Sequence, residues 1–115
     1  MIDFSNMPDT VLPRFKGGEG QLTAKMLGDD LNRILYATLA PGHSIGLHTH
    51  DTSSEIMYFL SGKGTVTTDG VAETVTAGLC HSCKKGSAHT LVNDGEEDLA
   101  REYEIKAKEL MKMPV

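Results

Sequence analysis

Between residues 17 and 95, turn residues cut this chain roughly every 8–12 positions, and the pieces between them alternate polar and apolar side chains. That rhythm excludes a long helix from most of the molecule. Gln21, Thr23 and Lys25 alternate with Leu22, Ala24 and Met26 up to the turn Gly28-Asp29-Asp30. Residues 31–40 alternate again until Pro41-Gly42 stops them. Residues 44–50 and 55–60 flank a polar turn at 51–54. The Thr/Val-rich runs 65–68 and 71–76 are separated only by Asp69-Gly70. That pair predicts a type I′ hairpin, because Gly accepts the positive φ the turn requires. Two more short runs, 79–83 and 88–92, are bounded by Lys84-Lys85-Gly86 and Asn93-Asp94-Gly95. Residues 97–113 are rich in helix formers, yet Leu99, Arg101, Tyr103 and Ile105 alternate. A strand to Lys106 followed by a helical or frayed tail is the expectation. Eight or nine short strands of this kind make an all-β sandwich or barrel.

The 115 residues suit one domain with a real core. The expected division is an N-terminal arm over 1–20, a β-barrel over 21–106 and a C-terminal tail over 107–115. Pro8, Pro13 and the run Lys16-Gly17-Gly18-Glu19-Gly20 make the arm extended, able to stay loose or to lie across a partner subunit. A net charge of −5 with scattered basic residues and no Trp argues against a nucleic-acid surface. Two cysteines are too few for a disulfide-stapled module. The chain opens without a charged-then-apolar leader pattern, and no apolar run approaches the roughly 20 residues of a membrane span. A cytoplasmic protein with no membrane contact is the expectation.

Chemistry concentrates at His48, His50 and Glu55. On a strand, residues two apart project to the same side, so His48 and His50 form an imidazole clamp. The turn 51–54 returns the chain with Glu55 at the start of the neighbouring strand, where its carboxylate can reach the same cavity. Imidazole plus carboxylate suits one divalent ion among Fe, Mn, Zn, Ni and Co. If Glu55 points inward, so do Met57 and Phe59, an apolar wall beside the ion, while Ile56, Tyr58 and Leu60 face outward. An apolar outer face suits sheet packing or a homodimer contact.

The spacing of these residues resembles the first motif of the cupin superfamily: Gly42, His48, His50, Glu55 and Gly62 stand where that motif requires them. The second motif reads Gly78, Lys84, Gly86, His89 and Asn93, with Lys84 where the family usually has Pro. The resemblance is to a small single-domain member, of the Cupin_2 kind. It implies a double-stranded β-helix, or jelly-roll, barrel with His48, His50, Glu55 and His89 as metal ligands. Such a ligand set leaves one or two positions of a six-coordinate ion open to water, substrate or dioxygen.

The superfamily's activities imply a metalloenzyme acting on a small organic or sugar-like substrate, by dioxygenase or by isomerase or lyase chemistry. A non-catalytic small-molecule binding module is the other reading. His81 is the candidate for proton transfer; His43, in a turn, is the weaker one. Tyr36 and Arg101 are conceivable substrate anchors. Cys80 and Cys83 point to opposite faces of a strand, which argues against a redox pair and leaves one of them on the inner face.

Overall fold

The computed structural model describes residues 2–28 and 32–106, with side chains placed as far as Ala100. The Asp29-Asp30 turn, the tail beyond Lys106 and the Arg101 side chain therefore lie outside the described residues. Ten strands follow one another: β1 (Thr10–Pro13), β2 (Gln21–Gly28), β3 (Asn32–Leu39), β4 (Ser44–Thr49), β5 (Ser54–Ser61), β6 (Lys63–Thr68), β7 (Val71–Thr76), β8 (Cys80–Cys83), β9 (Ala88–Val92) and β10 (Leu99–Lys106). Among the described residues, the only helical pieces are two 3₁₀ turns, Phe4–Asn6 and Phe15–Gly17. No described helix is long and apolar enough to cross a membrane.

All pairings are antiparallel, and they form two sheets. The larger runs β1-β2-β3-β10-β5-β8 and the smaller β4-β9-β6-β7. Chain neighbours such as β3 and β4, or β9 and β10, thus lie in different sheets, as a jelly roll requires. β1 adds to the free edge of β2 in its own chain, pairing Leu12 with Leu22. The β6–β7 hairpin closes through Asp69 and Gly70 at φ 48° and 85°, both in the left-handed region that a type I′ turn needs.

Alternation explains the core. Leu35, Ala37 and Leu39 of β3 and Met57 and Phe59 of β5 face inward, and so do Leu22 and Ala24 of β2. They meet Ile45, Val66, Val75 and Leu91 from the smaller sheet in one cluster. Burying a side chain the size of Phe59 contributes roughly 1.5–3 kcal/mol, so these few positions dominate the packing energy. The outward series of β5 (Ile56, Tyr58 and Leu60) is exposed.

Asn93 joins the two sheets. Its buried side-chain amide donates to the carbonyls of Leu39 and Glu97, each at 2.8 Å, and its Oδ1 accepts from the Gly95 N–H at 2.9 Å. This accounts physically for an Asn at the end of the second motif: a single planar amide satisfies three backbone groups that the strand crossing would leave unpaired.

Candidate metal centre

β4 carries two of the expected ligands, but simple alternation does not place them. Ile45 pairs with Leu91 and His48 pairs with His89, so two residues on β4, Gly46 and Leu47, stand against one on β9, Thr90. The extra residue is a β-bulge around Gly46 and Leu47. Without it, Ile45 and His48 would face opposite sides of the sheet. With it, Ile45 enters the core, Leu47 faces solvent, and His48 and His50 turn inward together. The same pairing sets His48 directly opposite His89.

Glu55 arrives from the other sheet, at the start of β5. The ligand atoms of His48, His50, Glu55 and His89 all lie within 4.8 Å of one another. His50 Nε2 and His89 Nε2 are 3.0 Å apart. Glu55 Oε1 is 3.2 Å from His89 Nε2, and Oε2 is 3.6 Å from His50 Nε2. Donors about 2.1 Å from one ion sit about 3 Å apart in adjacent positions, so the set has the right scale for a single small cation.

The proton pattern fits as well. His48 Nδ1 lies 2.8 Å from the Gly46 carbonyl, a contact that puts the proton on Nδ1 and leaves Nε2 with its lone pair. His89 Nδ1 lies 3.0 Å from His81 Nε2, so a proton on Nδ1 again frees Nε2 to face Glu55. Burial pushes His48 and His50 below the ordinary imidazole pKa, which keeps them neutral near pH 7. Three imidazoles converging on one point beside a buried carboxylate are a donor set that a divalent ion satisfies.

The loop that follows β8 seats His50. Gly86 N–H donates to the His50 carbonyl at 2.6 Å, and His50 N–H donates to Ser87 O at 3.1 Å. Lys84, which stands where Pro is usual, has its carbonyl capped by the Ser87 N–H at 3.0 Å. Hydrogen bonds close the turn that a Pro ring would have stiffened.

His81 pairs with Met57 across β5 and β8 and lies half-buried behind His89. Burial and its proximity to His89 depress its pKa. Cys83, opposite Glu55, is fully buried, and desolvation raises its thiol to about 11. Cys83, His81 and His89 also group within 4.8 Å of one another, but this second group shares His89 with the first. Cys80 is exposed.

Met57 lines a small cavity of about 10 Å³ beside His48, Glu55 and His89, room for about one water. Phe59, the next inward residue, packs in the core and lines neither this cavity nor the outer cleft. Tyr36 lies on the outer face of β3 against the Phe4 ring, with centroids 5.8 Å apart, and so stands away from the cluster. His43 packs over Gly20 and accepts from the Gln21 N–H at 3.2 Å.

From the cluster a cleft of about 490 Å³ opens to solvent, lined by Phe15, Lys16, Arg33 and Asp51 beside His48, His50 and Glu55. Phe15 and Lys16 belong to the N-terminal segment, whose contribution alternation and composition did not signal. Phe15 packs against the core. Arg14 and Lys16, on either side of it, both have left-handed backbones, at φ 48° and 56°. Each costs roughly 1–2 kcal/mol for a residue with a side chain.

Known proteins agree with this architecture. The family model described as Cupin domain matches residues 35–103. The oxalate-binding protein of Thermotoga maritima is 29% identical over 94 residues, spanning 76% of this chain and 78% of that protein. The crystal structure of a predicted oxalate decarboxylase from Thermotoga maritima superposes with a TM-score of 0.88 at 26% identity, covering 93% of this chain and 98% of that one. The cupin domain of Schizosaccharomyces pombe Cnp3 superposes at 0.73 with 15% identity, over 79% and 64% of the two chains, and shares the fold. With the motif residues converging inside a jelly roll and the family model spanning more than half its length, the chain belongs to the cupin domain family.

Proposed function

We propose that this cupin holds one divalent metal ion through His48, His50, Glu55 and His89, and that the cleft above them binds a small organic acid. The observation that carries this reading is the convergence of three imidazoles and a carboxylate from both sheets, with ligand atoms all within 4.8 Å of one another. Three imidazoles and one carboxylate leave up to two positions of a six-coordinate ion free. When bound, such an ion supplies Lewis-acid polarisation of a ligated oxygen, and redox chemistry if it is iron. The similarity to an oxalate-binding protein makes oxalate the first ligand to test.

Catalysis is the second reading: dioxygenase chemistry on iron, or isomerase or lyase chemistry on another ion. The open cleft beside the donors favours it. A role for His81 as direct proton carrier to the cleft is not favoured, because its Nε2 is engaged by His89 and it lines neither cavity. The exposed outer face of β5, with Ile56, Tyr58 and Leu60, supports a homodimer, which light scattering would detect.

The test is direct. Protein purified without added metal is assayed for metal content, then loaded in turn with Fe(II), Mn(II), Co(II), Ni(II) and Zn(II). Oxalate binding is measured by calorimetry, with oxygen uptake and product formation followed in parallel. One metal per chain, lost in His50→Ala, and metal-dependent oxalate binding are expected. Turnover with any ion favours the enzyme reading, and binding without turnover favours the binding module. A wild-type chain that retains none of the five ions sinks the proposal.

A further inference from the structure

The Phe15–Gly17 turn is clamped onto β4 by contacts that leave it little freedom. A Cβ on Gly46 would lie 2.0 Å from the Lys16 carbonyl oxygen, and one on Gly18 would lie 2.1 Å from the Ser44 carbonyl oxygen. Backbones this close require glycine at both positions. Ser44 and Glu19 exchange hydrogen bonds at 2.9 Å: Ser44 N–H donates to Glu19 O, and Glu19 N–H donates to Ser44 Oγ. The Gly17 and Gly18 N–H groups close the turn onto Arg14 O and Phe15 O. Two side-chain-bearing residues hold left-handed backbones within it, and strain of this kind persists only where the surroundings enforce it.

The clamp places Lys16 at the cleft. Among the described residues Lys16 makes no ion pair; its ammonium lies 5.4 Å from the centroid of the Phe15 ring. Among the described residues, the charged side chains lining the cleft are Lys16 and Arg33 against Asp51 and Glu55, which balance. A divalent ion among neutral imidazoles would leave two positive charges uncompensated there. A single small dianion neutralises that excess, whereas a monoanion or a neutral diol does not.

We propose that the turn carrying Phe15 and Lys16 is a fixed specificity wall, and that Lys16 makes the site select small dianions over monoanions and neutral ligands of the same size. This rests on the cleft being a metal-dependent ligand site. Phe15 closes the apolar side of the cleft and limits ligand size, and Lys16 supplies charge that does not depend on the ion chosen.

The experiment titrates the Mn(II)-loaded full chain with oxalate, glycolate and ethylene glycol by calorimetry, with metal content measured before and after. Wild type, Lys16→Gln and Lys16→Arg are compared. Lys16→Gln is expected to lower oxalate affinity about tenfold and glycolate affinity less, while Lys16→Arg keeps the preference. Metal content should be equal in all three, and the difference should narrow as salt is raised, because Lys16 is exposed. An unchanged ratio of oxalate to glycolate affinity in Lys16→Gln overturns the selectivity role and leaves the metal-site reading standing. Loss of metal from Lys16→Gln also overturns it, because Lys16 would then support the centre itself. If wild type does not hold Mn(II), the titration uses whichever of the five ions it retains; a wild type that retains none overturns both readings together, and one that retains an ion but binds none of the three probes overturns the selectivity role.

Discussion

His81 Nε2 and His89 Nδ1 are 3.0 Å apart although β8 and β9 belong to different sheets, and their rings stack with centroids 5.2 Å apart. The contact ties the tautomer of His89 to its neighbour and holds the ring so that Nε2 faces Glu55. His81 is a positioning residue in this arrangement. His81→Ala should weaken metal affinity by roughly 10–100-fold, and His81→Gln, which keeps an acceptor, should recover part of the loss. Competition with a chromogenic chelator measures both. An affinity in His81→Ala within twofold of wild type would contradict the role.

Acid should destabilise the metal-free protein. His48, His50 and His81 are each held below the ordinary imidazole pKa, chiefly by burial. The unfolded chain therefore binds more protons than the folded one once the pH drops below about 6.5. Stability is at its full value above that pH and is lost as pH falls toward the folded-state values. The melting temperature of chelator-treated protein should be flat from about pH 7 to 8 and decline from about 6.5 to 5. Bound metal should deepen that decline, since protons compete for the same nitrogens. A metal-free protein equally stable at pH 5 and pH 7 would count against neutral, buried imidazoles.

Asn93→Ala should cost about 2–4 kcal/mol, because it strands the Leu39 and Glu97 carbonyls and the Gly95 N–H at a buried crossing. Asn93→Asp should do no better, since a carboxylate cannot donate to the two carbonyls. Urea denaturation reads the change, and a loss below about 0.5 kcal/mol would show that the backbone finds other partners.

The two cysteines should behave as independent thiols. Cys80 is exposed, whereas Cys83 is buried, donates to Ser87 O at 3.7 Å and has its thiol raised to about 11. A disulfide-exchange reagent at pH 8 should label one thiol per native chain, and Cys80→Ser should abolish that reaction. Rapid labelling of two thiols in the native state would contradict the burial of Cys83.

By itself the sequence determined the strands from β2 onward and the side chains that could serve as ligands, because both follow from local rules; β1, within the segment read as an arm, it did not. Period-two alternation put Leu35, Ala37 and Leu39 on one face of their strand and Met57 and Phe59 inward beside Glu55, and Asp69-Gly70 marked its hairpin. The spacing of His48, His50 and Glu55 was legible for the same reason, and the second motif added His89. What only the tertiary structure decided depends on contacts between distant segments. The bulge at Gly46 and Leu47 puts His48 in phase with the core, and it appears only when β4 is laid against β9. Tyr36 alternates outward and meets Phe4, which no periodicity connects to it. The run Lys16-Gly17-Gly18 reads as a flexible arm because glycine permits many conformations. In the fold the same absence of side chains at Gly18 and Gly46 permits one close backbone contact, and that contact brings Lys16 to the rim of the metal cleft.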